Sequence, residues 1–479
     1  MLRKGFFWFS LVLLIVTTAL VGLGAKTLLA LRAHNGDLQT MVLPPVSPPT
    51  SASRLLIISP HPDDETLGCA GLIRRAKALG ASVTVAFVTN GDAFPAGVMQ
   101  HSGKLRPTPE DYVDFGYARQ REALSVLRSL GLSRRNVLFL GYPDRGLDRL
   151  WRTNWDAAHP FTALRTACSA SPYVTSFRPD TLYCGQSVVR DLVAVLRRTR
   201  PTDVYVTHPN DDHGDHWATA CFLAAALERM GDEGLRGAEE PRVHTFLVHR
   251  GDWPVPQGYR PRQHLVPPSG LNRMDTWWQS LELTPDEEQA KKRAIELYRS
   301  QVMIPVERRF MLSFVRATEL FGRFDFQPPR DTGLLGPAAP TQPLRIYDPS
   351  ADKLVRRIDG SADLQLVEAE QQGSDLEIRV RARKSLSRWV RYIVTLRALG
   401  RTPRQDGGLV LACTPGGASP DPRVRETCEG QDLHLTVPIS LLGAPEWVML
   451  GAETRASGLS VDRSAWKALE LPTTRTARR

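Results

Sequence analysis

Two short stretches of the chain gather the residue types from which hydrolytic centres are built. One reads Ser59-Pro60-His61-Pro62-Asp63-Asp64-Glu65-Thr66-Leu67-Gly68, the other His208-Pro209-Asn210-Asp211-Asp212-His213-Gly214-Asp215-His216. Imidazole and carboxylate are zinc ligands, and a hydrolytic zinc centre needs three protein ligands plus an open position for the attacking water. His61, Asp64 and His216 are the candidate ligands. Successive side chains point apart, so Asp63, beside the ligand Asp64, is left to face the water as general base. His213, three residues before His216, is placed to stabilise an oxyanion and to protonate a leaving amine. Asp215 would orient an imidazole from behind. Zn2+ is the expected cofactor, and another divalent metal such as Fe2+ is compatible with the same donors. No Cys-x-x-Cys pair occurs, which argues against a thiolate zinc site. Asp-rich turns often serve only as helix caps, but capping does not explain two clusters that each carry histidines. His101, His159, His249 and His264 stand apart from both clusters and are read as ordinary solvated or satisfied side chains.

The elements that must carry these clusters are visible as an alternation of patterns. Apolar, β-branched runs at 55–58, 83–88, 137–140, 204–207 and 245–248 predict strands, and the stretches 118–130, 187–198 and 217–230 have helical periodicity. Strand and helix in alternation predict a mostly parallel sheet with helices on both faces, in which ligands bind beyond the carboxyl ends of the strands. Each cluster follows a predicted strand and precedes a helix, so the two can converge on one metal. Pro60 and Pro62 stiffen the first turn. A further helix at 285–302 opens with Thr284 as its cap and Asp286, Glu287 and Glu288 in its first turn.

The motifs match a family pattern. Pro60-His61-Pro62-Asp63-Asp64-Glu65 resembles the Ala/Ser-His-Pro-Asp-Asp-Glu turn of the PIG-L or LmbE-like deacetylases, with Pro60 where that family often has Ala. Val88-Thr89-Asn90-Gly91-Asp92, Arg119 with Glu122, Gly141-Tyr142-Pro143-Asp144, His213-Gly214-Asp215-His216 and the helix from Lys292-Arg293-Ala294 to Ser300-Gln301 resemble further family elements, in family order over residues 54–323. The resemblance implies a Rossmann-like fold, zinc on His61, Asp64 and His216, Asp63 as base and His213 as acid or electrostatic partner. It also implies hydrolysis of the N-acetyl group of a glucosamine unit, with Arg119 and Asp144 near the sugar.

At 479 residues the chain exceeds one hydrophobic core. The expected organisation is an anchor at 1–34, a Pro-rich linker at 35–53, the catalytic domain at 54–325, a second linker at 326–344 and a β-sandwich-like domain at 345–479. That last domain is expected from alternating runs at 376–380, 392–396, 433–437 and 448–452. It resembles carbohydrate-binding sandwiches around 447–466, although Trp389, Trp447 and Trp466 are expected in its core rather than on a sugar. Arg3 and Lys4 precede an uncharged stretch at 5–25, long enough to span a bilayer. Basic residues before it imply an N-in, C-out anchor in the inner membrane, with the catalytic domain periplasmic or otherwise outside the cytoplasm. A cleaved signal peptide is the competing reading, with Gly22, Gly24 and Ala25 as a poor cleavage site after an overly long apolar core. An envelope glycan or glycolipid containing N-acetylglucosamine is then the expected partner; a non-catalytic glycan-binding protein and a hydrolase of another amide are the alternatives. The net charge of +10 is dispersed, with no basic run of the kind that binds nucleic acid. Cys168 with Cys184, and Cys413 with Cys428, bracket local loops and suit disulfides in an oxidising compartment, whereas Cys69 and Cys221 read as buried thiols.

Overall fold

The computed structural model describes residues 41–232, 240–271, 274–326, 343–349, 360–400, 402–443 and 445–471. Strand β1 (Arg54–Ser59) is buried from its second residue onward because it lies inside a sheet covered on both faces. Leu56 and Ile58 share a core with helices Gly185–Thr199 and Gly214–Asp232. Leu55 and Ile57 alternate to the other face, where helix α1 (Asp64–Ala78) packs against helix α2 (Pro285–Leu297). Gly68 allows α1 to lie this close, since a Cβ there would meet the Phe246 ring at 2.4 Å.

The sheet also holds β2 (Ser82–Thr89), β3 (Val137–Tyr142), β4 (Asp203–Thr207), β5 (Arg242–Phe246), β6 (Thr276–Glu282) and β7 (Thr318–Phe324), in the order β3-β2-β1-β4-β5-β7-β6. Strands β1 to β5 run parallel, and β6 and β7 add an antiparallel edge. The chain winds outward in one direction from β1 and in the other from β4. The crevice between the carboxyl ends of these two strands is therefore the topological switch point, where ligands of such sheets bind.

The expected strands recur with small shifts, the largest being β5, which ends before Val248. The helix expected at 118–130 begins at Pro109, behind a capping box from Thr108 and Asp111. The Thr284 cap is present, with Glu287 N–H donating to Thr284 Oγ1 at 3.3 Å. Tyr298 leaves the helical conformation at ψ 67°, so the helix expected to reach Val302 breaks there and resumes as Arg299–Val302. Pro44 and Val46 bond along β6 through Ser280, so part of the expected first linker is docked on the sheet. The stretch 5–25 and residues 327–342 of the second linker lie outside the described residues. Among the described residues no helix is long and apolar enough to cross a membrane.

The C-terminal part forms two antiparallel sheets around one core. One is ordered β13-β14-β10-β9-β8, from β8 (Leu344–Tyr347), β9 (Leu364–Gln372), β10 (Asp375–Ala382), β13 (Arg425–Glu429) and β14 (Asp432–Pro438). The other is ordered β12-β11-β15-β16, with β17 on β15, from β11 (Val390–Leu399), β12 (Gly407–Cys413), β15 (Trp447–Ala456), β16 (Leu459–Arg463) and β17 (Lys467–Glu470). Trp447 and Trp466 are buried, but Trp389 is 75% exposed, against expectation, because it sits in the turn before β11 with the Arg388 guanidinium over its ring. The disulfide expectation is also corrected: all six cysteines are free thiols. Cys413 is buried whereas Cys428 is exposed on β13, and Cys168 donates instead to the Thr166 carbonyl at 3.3 Å.

Helix α1 carries Asp64 at its first position, and a buried ion pair holds it in place. Glu319 of β7 accepts from Gly71 N at 2.8 Å and Leu72 N at 2.9 Å, while Lys291 of α2 donates to Leu67 O at 2.7 Å and to Glu319 at 2.8 Å. Both side chains are fully buried. Removing one partner of such a pair leaves an uncompensated charge, so Lys291→Ala is expected to lower stability by about 3–5 kcal/mol in urea unfolding. A loss under about 1 kcal/mol would mean that the pair is dispensable.

Candidate active site

The turn after β1 is pinned before any ligand is considered. Ser59 Oγ donates to His61 O at 2.8 Å and accepts from Glu65 N at 3.1 Å, and Thr89 at the end of β2 bonds Pro60 O through both N–H and hydroxyl. His61 then projects over the switch point. Its Nε2 lies 3.1 Å from Asp215 Oδ2 and 3.3 Å from Asp144 Oδ1. A carboxylate on Nε2 keeps the proton there and leaves the Nδ1 lone pair for the crevice.

The loop after β4 brings the second cluster to the same place. Thr207 Oγ1 donates to His216 O at 2.8 Å, and His216 Nδ1 stands 3.2 Å from Asp211 Oδ2, within reach though not aligned for an ideal hydrogen bond. His216 Nε2 therefore faces the crevice. There, His61 Nδ1 lies 3.1 Å from Asp64 Oδ2, His216 Nε2 lies 3.2 Å from that same oxygen, and the two nitrogens are 3.2 Å apart. Three lone-pair donors thus form a nearly equilateral triangle. Tetrahedral zinc with ligands about 2.0–2.1 Å away sets its ligand atoms roughly 3.3 Å apart, so the donor set and its spacing fit that ion. The charges agree: burial opposes charge on His216, yet Asp211 and Asp64 raise its pKa to about 9, as expected where carboxylates converge on a place for positive charge.

Asp63 is held differently from its neighbour. Its backbone takes φ 138°, a region non-glycine residues avoid. Glu65 Oε2 accepts its N–H at 3.0 Å, and the buried Arg119 donates to Asp63 Oδ2 at 2.8 Å, to Gly91 O at 2.9 Å and to Pro62 O. At Gly91 a Cβ would meet Arg119 Nη1 at 1.8 Å, so glycine is what admits the guanidinium. Burial pushes the Asp63 carboxyl up to about 8 against the pull of Arg119. Glu65 is itself buried and accepts from the Tyr298 hydroxyl at 2.6 Å.

His213 has its ring centroid 4.9 Å from that of His61 and 5.0 Å from that of His216. Asp215 N donates to its Nδ1 at 3.2 Å, so the neutral ring carries its proton on Nε2. Burial, with the imidazoles of His61, His216 and His249, holds His213 well below the usual range and keeps it neutral.

All eight sequence-predicted site residues lie in this one region: His61, Asp63, Asp64, His213, Asp215 and His216 in the two loops, and Arg119 and Asp144 against them. Arg119 spends its guanidinium on protein groups around Asp63. Asp144 faces His61 and accepts from Ala93 N at 2.7 Å; burial works against its charge, but the bond with His61 holds it below the usual carboxylate range. Setting His249 aside proves mistaken: three residues beyond β5, its ring lies 4.8 Å from His216 and stacks on Phe310. His249 also groups with Asp64 and His216 as a set able to hold a cation, as do His61, His213 and His216. The rule that sites form at strand ends would have flagged it. Asp211 was in plain view within its cluster without an assigned part. Its Oδ1 accepts from His213 N, and its Oδ2 from Val248 N at 3.0 Å and His249 N at 2.9 Å.

The fold and donor set together define a class: a mixed α/β protein with histidines and carboxylates able to hold a cation at a sheet switch point. Residues 56–227 match the PIG-L family model, GlcNAc-PI de-N-acetylase, and the chain carries a PIG-L domain. Among its relatives, the 1D-myo-inositol 2-acetamido-2-deoxy-alpha-D-glucopyranoside deacetylase of Rhodococcus erythropolis is 29% identical over 40% of this chain and 58% of its own length. That of Rhodococcus opacus is 32% identical over 40% of this chain and 59% of its own. The chain thus spans less than two thirds of these curated relatives. The crystal structure of the conserved protein TT1542 from Thermus thermophilus is 26% identical, covering 54% of this chain and 84% of that one at a TM-score of 0.32.

Proposed function

We propose that this protein is a zinc-dependent deacetylase that hydrolyses the N-acetyl group of an N-acetylglucosamine unit and releases acetate. The observation that carries the reading is the triangle of His61 Nδ1, Asp64 Oδ2 and His216 Nε2 beside the Asp63 carboxylate. These three residues would hold zinc, which when bound supplies an acidified water and polarises the acetyl carbonyl. Asp63, fixed by Arg119 and by Glu65, takes the proton of the attacking water. His213 presents Nε2–H to the oxyanion as a neutral donor. With His213 neutral, Asp63 is the group that returns its proton to the departing amine nitrogen. Asp215 and Asp144 hold the His61 ring, and Asp211 holds that of His216.

The relatives are deacetylases of an inositol 2-acetamido-2-deoxyglucopyranoside, an N-acetylglucosaminyl inositol, which supports a GlcNAc-containing substrate here. The uncharged stretch at 5–25 and the added C-terminal sheets support a target in the cell envelope, a glycan or glycolipid reached by a catalytic body tethered outside the cytoplasm. The test is acetate release from N-acetylglucosaminyl glycosides and envelope extracts, before and after dialysis against a chelator. Release that stops with chelator and returns with added zinc is expected. Sugar binding without acetate release would overturn the enzymatic reading.

A further inference from the structure

The segment that supplies His213 and His216 is gripped from the C-terminal sheets. Arg463, the last residue of β16, is 9% exposed. It donates from Nη2 to Asp211 O and from Nη1 to Pro209 O at 3.4 Å, and its guanidinium lies 5.2 Å from the centre of the Trp217 ring. Its own position is set by Asp462, whose Oδ1 accepts Arg463 N at 2.7 Å and whose Oδ2 accepts Leu364 N of the facing sheet at 2.7 Å. Trp466, 1% exposed, stacks on Trp217 at 5.2 Å and 12°. Both ends of the loop are thus touched, at 209–211 by Arg463 and at 217 by Arg463 and Trp466.

The consequence runs through Asp211. The same residue whose carbonyl Arg463 holds uses its carboxylate to face His216 Nδ1 and to gather the backbone of His213, Val248 and His249. A cation held against a buried carbonyl is a strong, directional bond that water cannot replace there, and fixing the Asp211 peptide fixes where its carboxylate points. The core is continuous as well, since Trp466, Trp447, Met449 and Leu399 pack in one cluster with helices Gly185–Thr199 and Gly214–Asp232.

We propose that Arg463 is a positioning residue for the His216 half of the metal centre, so that the C-terminal sheets are part of the catalytic body and set its metal affinity. This rests on the zinc deacetylase reading. The test uses the full chain and compares wild type, Arg463→Met, Arg463→Lys and Trp389→Ala, an exposed control on the same sheets. Zinc dissociation constants are measured by competition with a chromogenic chelator at a temperature where every variant is folded by circular dichroism, and the Co2+-loaded forms are compared by visible absorption. Arg463→Met is expected to bind zinc roughly 10- to 100-fold more weakly, the range found when outer-shell partners of metal ligands are lost, and to shift the Co2+ spectrum. Arg463→Lys, able to reach one carbonyl, should fall between, and Trp389→Ala should match wild type; should the Met variant not fold, the Lys variant carries the comparison. Wild-type affinity and an unchanged spectrum in a folded Arg463 variant would overturn the proposal while leaving the deacetylase reading intact. Absence of zinc binding by wild type would overturn that reading itself.

Discussion

Asp63→Asn is expected to lower turnover by roughly 10²–10⁴-fold, the usual contribution of a positioned general base, while zinc content per chain stays at the wild-type level. The substitution is clean for structural reasons. Asn keeps an oxygen for the Arg119 donor now 2.8 Å from Asp63 Oδ2, and it has the size and branching of Asp, so it places no new steric demand on the backbone at φ 138°. The candidate ligand is the neighbour, whose Oδ2 is taken up by His61 N–H, His61 Nδ1 and His216 Nε2. Two carboxylates adjacent in sequence thus differ in what they can do: one faces two imidazoles, the other a guanidinium. Acetate release and zinc content measured on the same preparation check the division. Near-normal turnover in the Asn variant would remove Asp63 from the proton path, and loss of zinc would make it a ligand.

Much of this arrangement was legible because its signals are local. The apolar run of β1 followed by Pro60-His61-Pro62-Asp63-Asp64 announces a buried parallel strand and a stiff turn at its carboxyl end, and both follow from side-chain type alone. What stayed hidden depends on which strands become neighbours. Asp211 and Asp212 are indistinguishable in sequence; only the packing of the loop decides that Asp211 faces His216, while Asp215 faces His61 as its motif suggests. His249 lacks a motif of its own and enters the site because β5 lies beside β4. Arg119 looks like a surface residue on a helix until Gly91 opens a passage to Asp63. Strands β6 and β7 went unforeseen since an antiparallel edge needs no βα alternation to announce it. Trp389 shows the same limit in reverse: its hydrophobicity argues for the core, but the turn before β11 leaves it in solvent.

His216→Ala is expected to remove both metal and activity. The variant leaves His61 Nδ1 and Asp64 Oδ2, 3.1 Å apart, as the remaining protein donors of the triangle. Structural zinc sites contribute about 10–16 kcal/mol over four ligands, so losing one weakens binding by roughly two to three orders of magnitude. Asp211→Asn is the informative companion. Its single amide oxygen can still accept from the backbone N–H groups of Val248 and His249 where Oδ2 does, but the NH2 that replaces Oδ1 cannot accept from His213 N–H, and no carboxylate charge faces His216 Nδ1, which lies 3.2 Å away. The Asn variant is expected to bind zinc about 10- to 100-fold more weakly, as for other outer-shell carboxylates, and to regain activity when zinc is raised, whereas the Ala variant at 216 should stay inactive. Chelator competition and acetate release on both variants separate the two effects. A His216→Ala protein that holds zinc as tightly as wild type would move the ligand role elsewhere, to His249 or His213, whose rings lie 4.8 and 5.0 Å from that of His216.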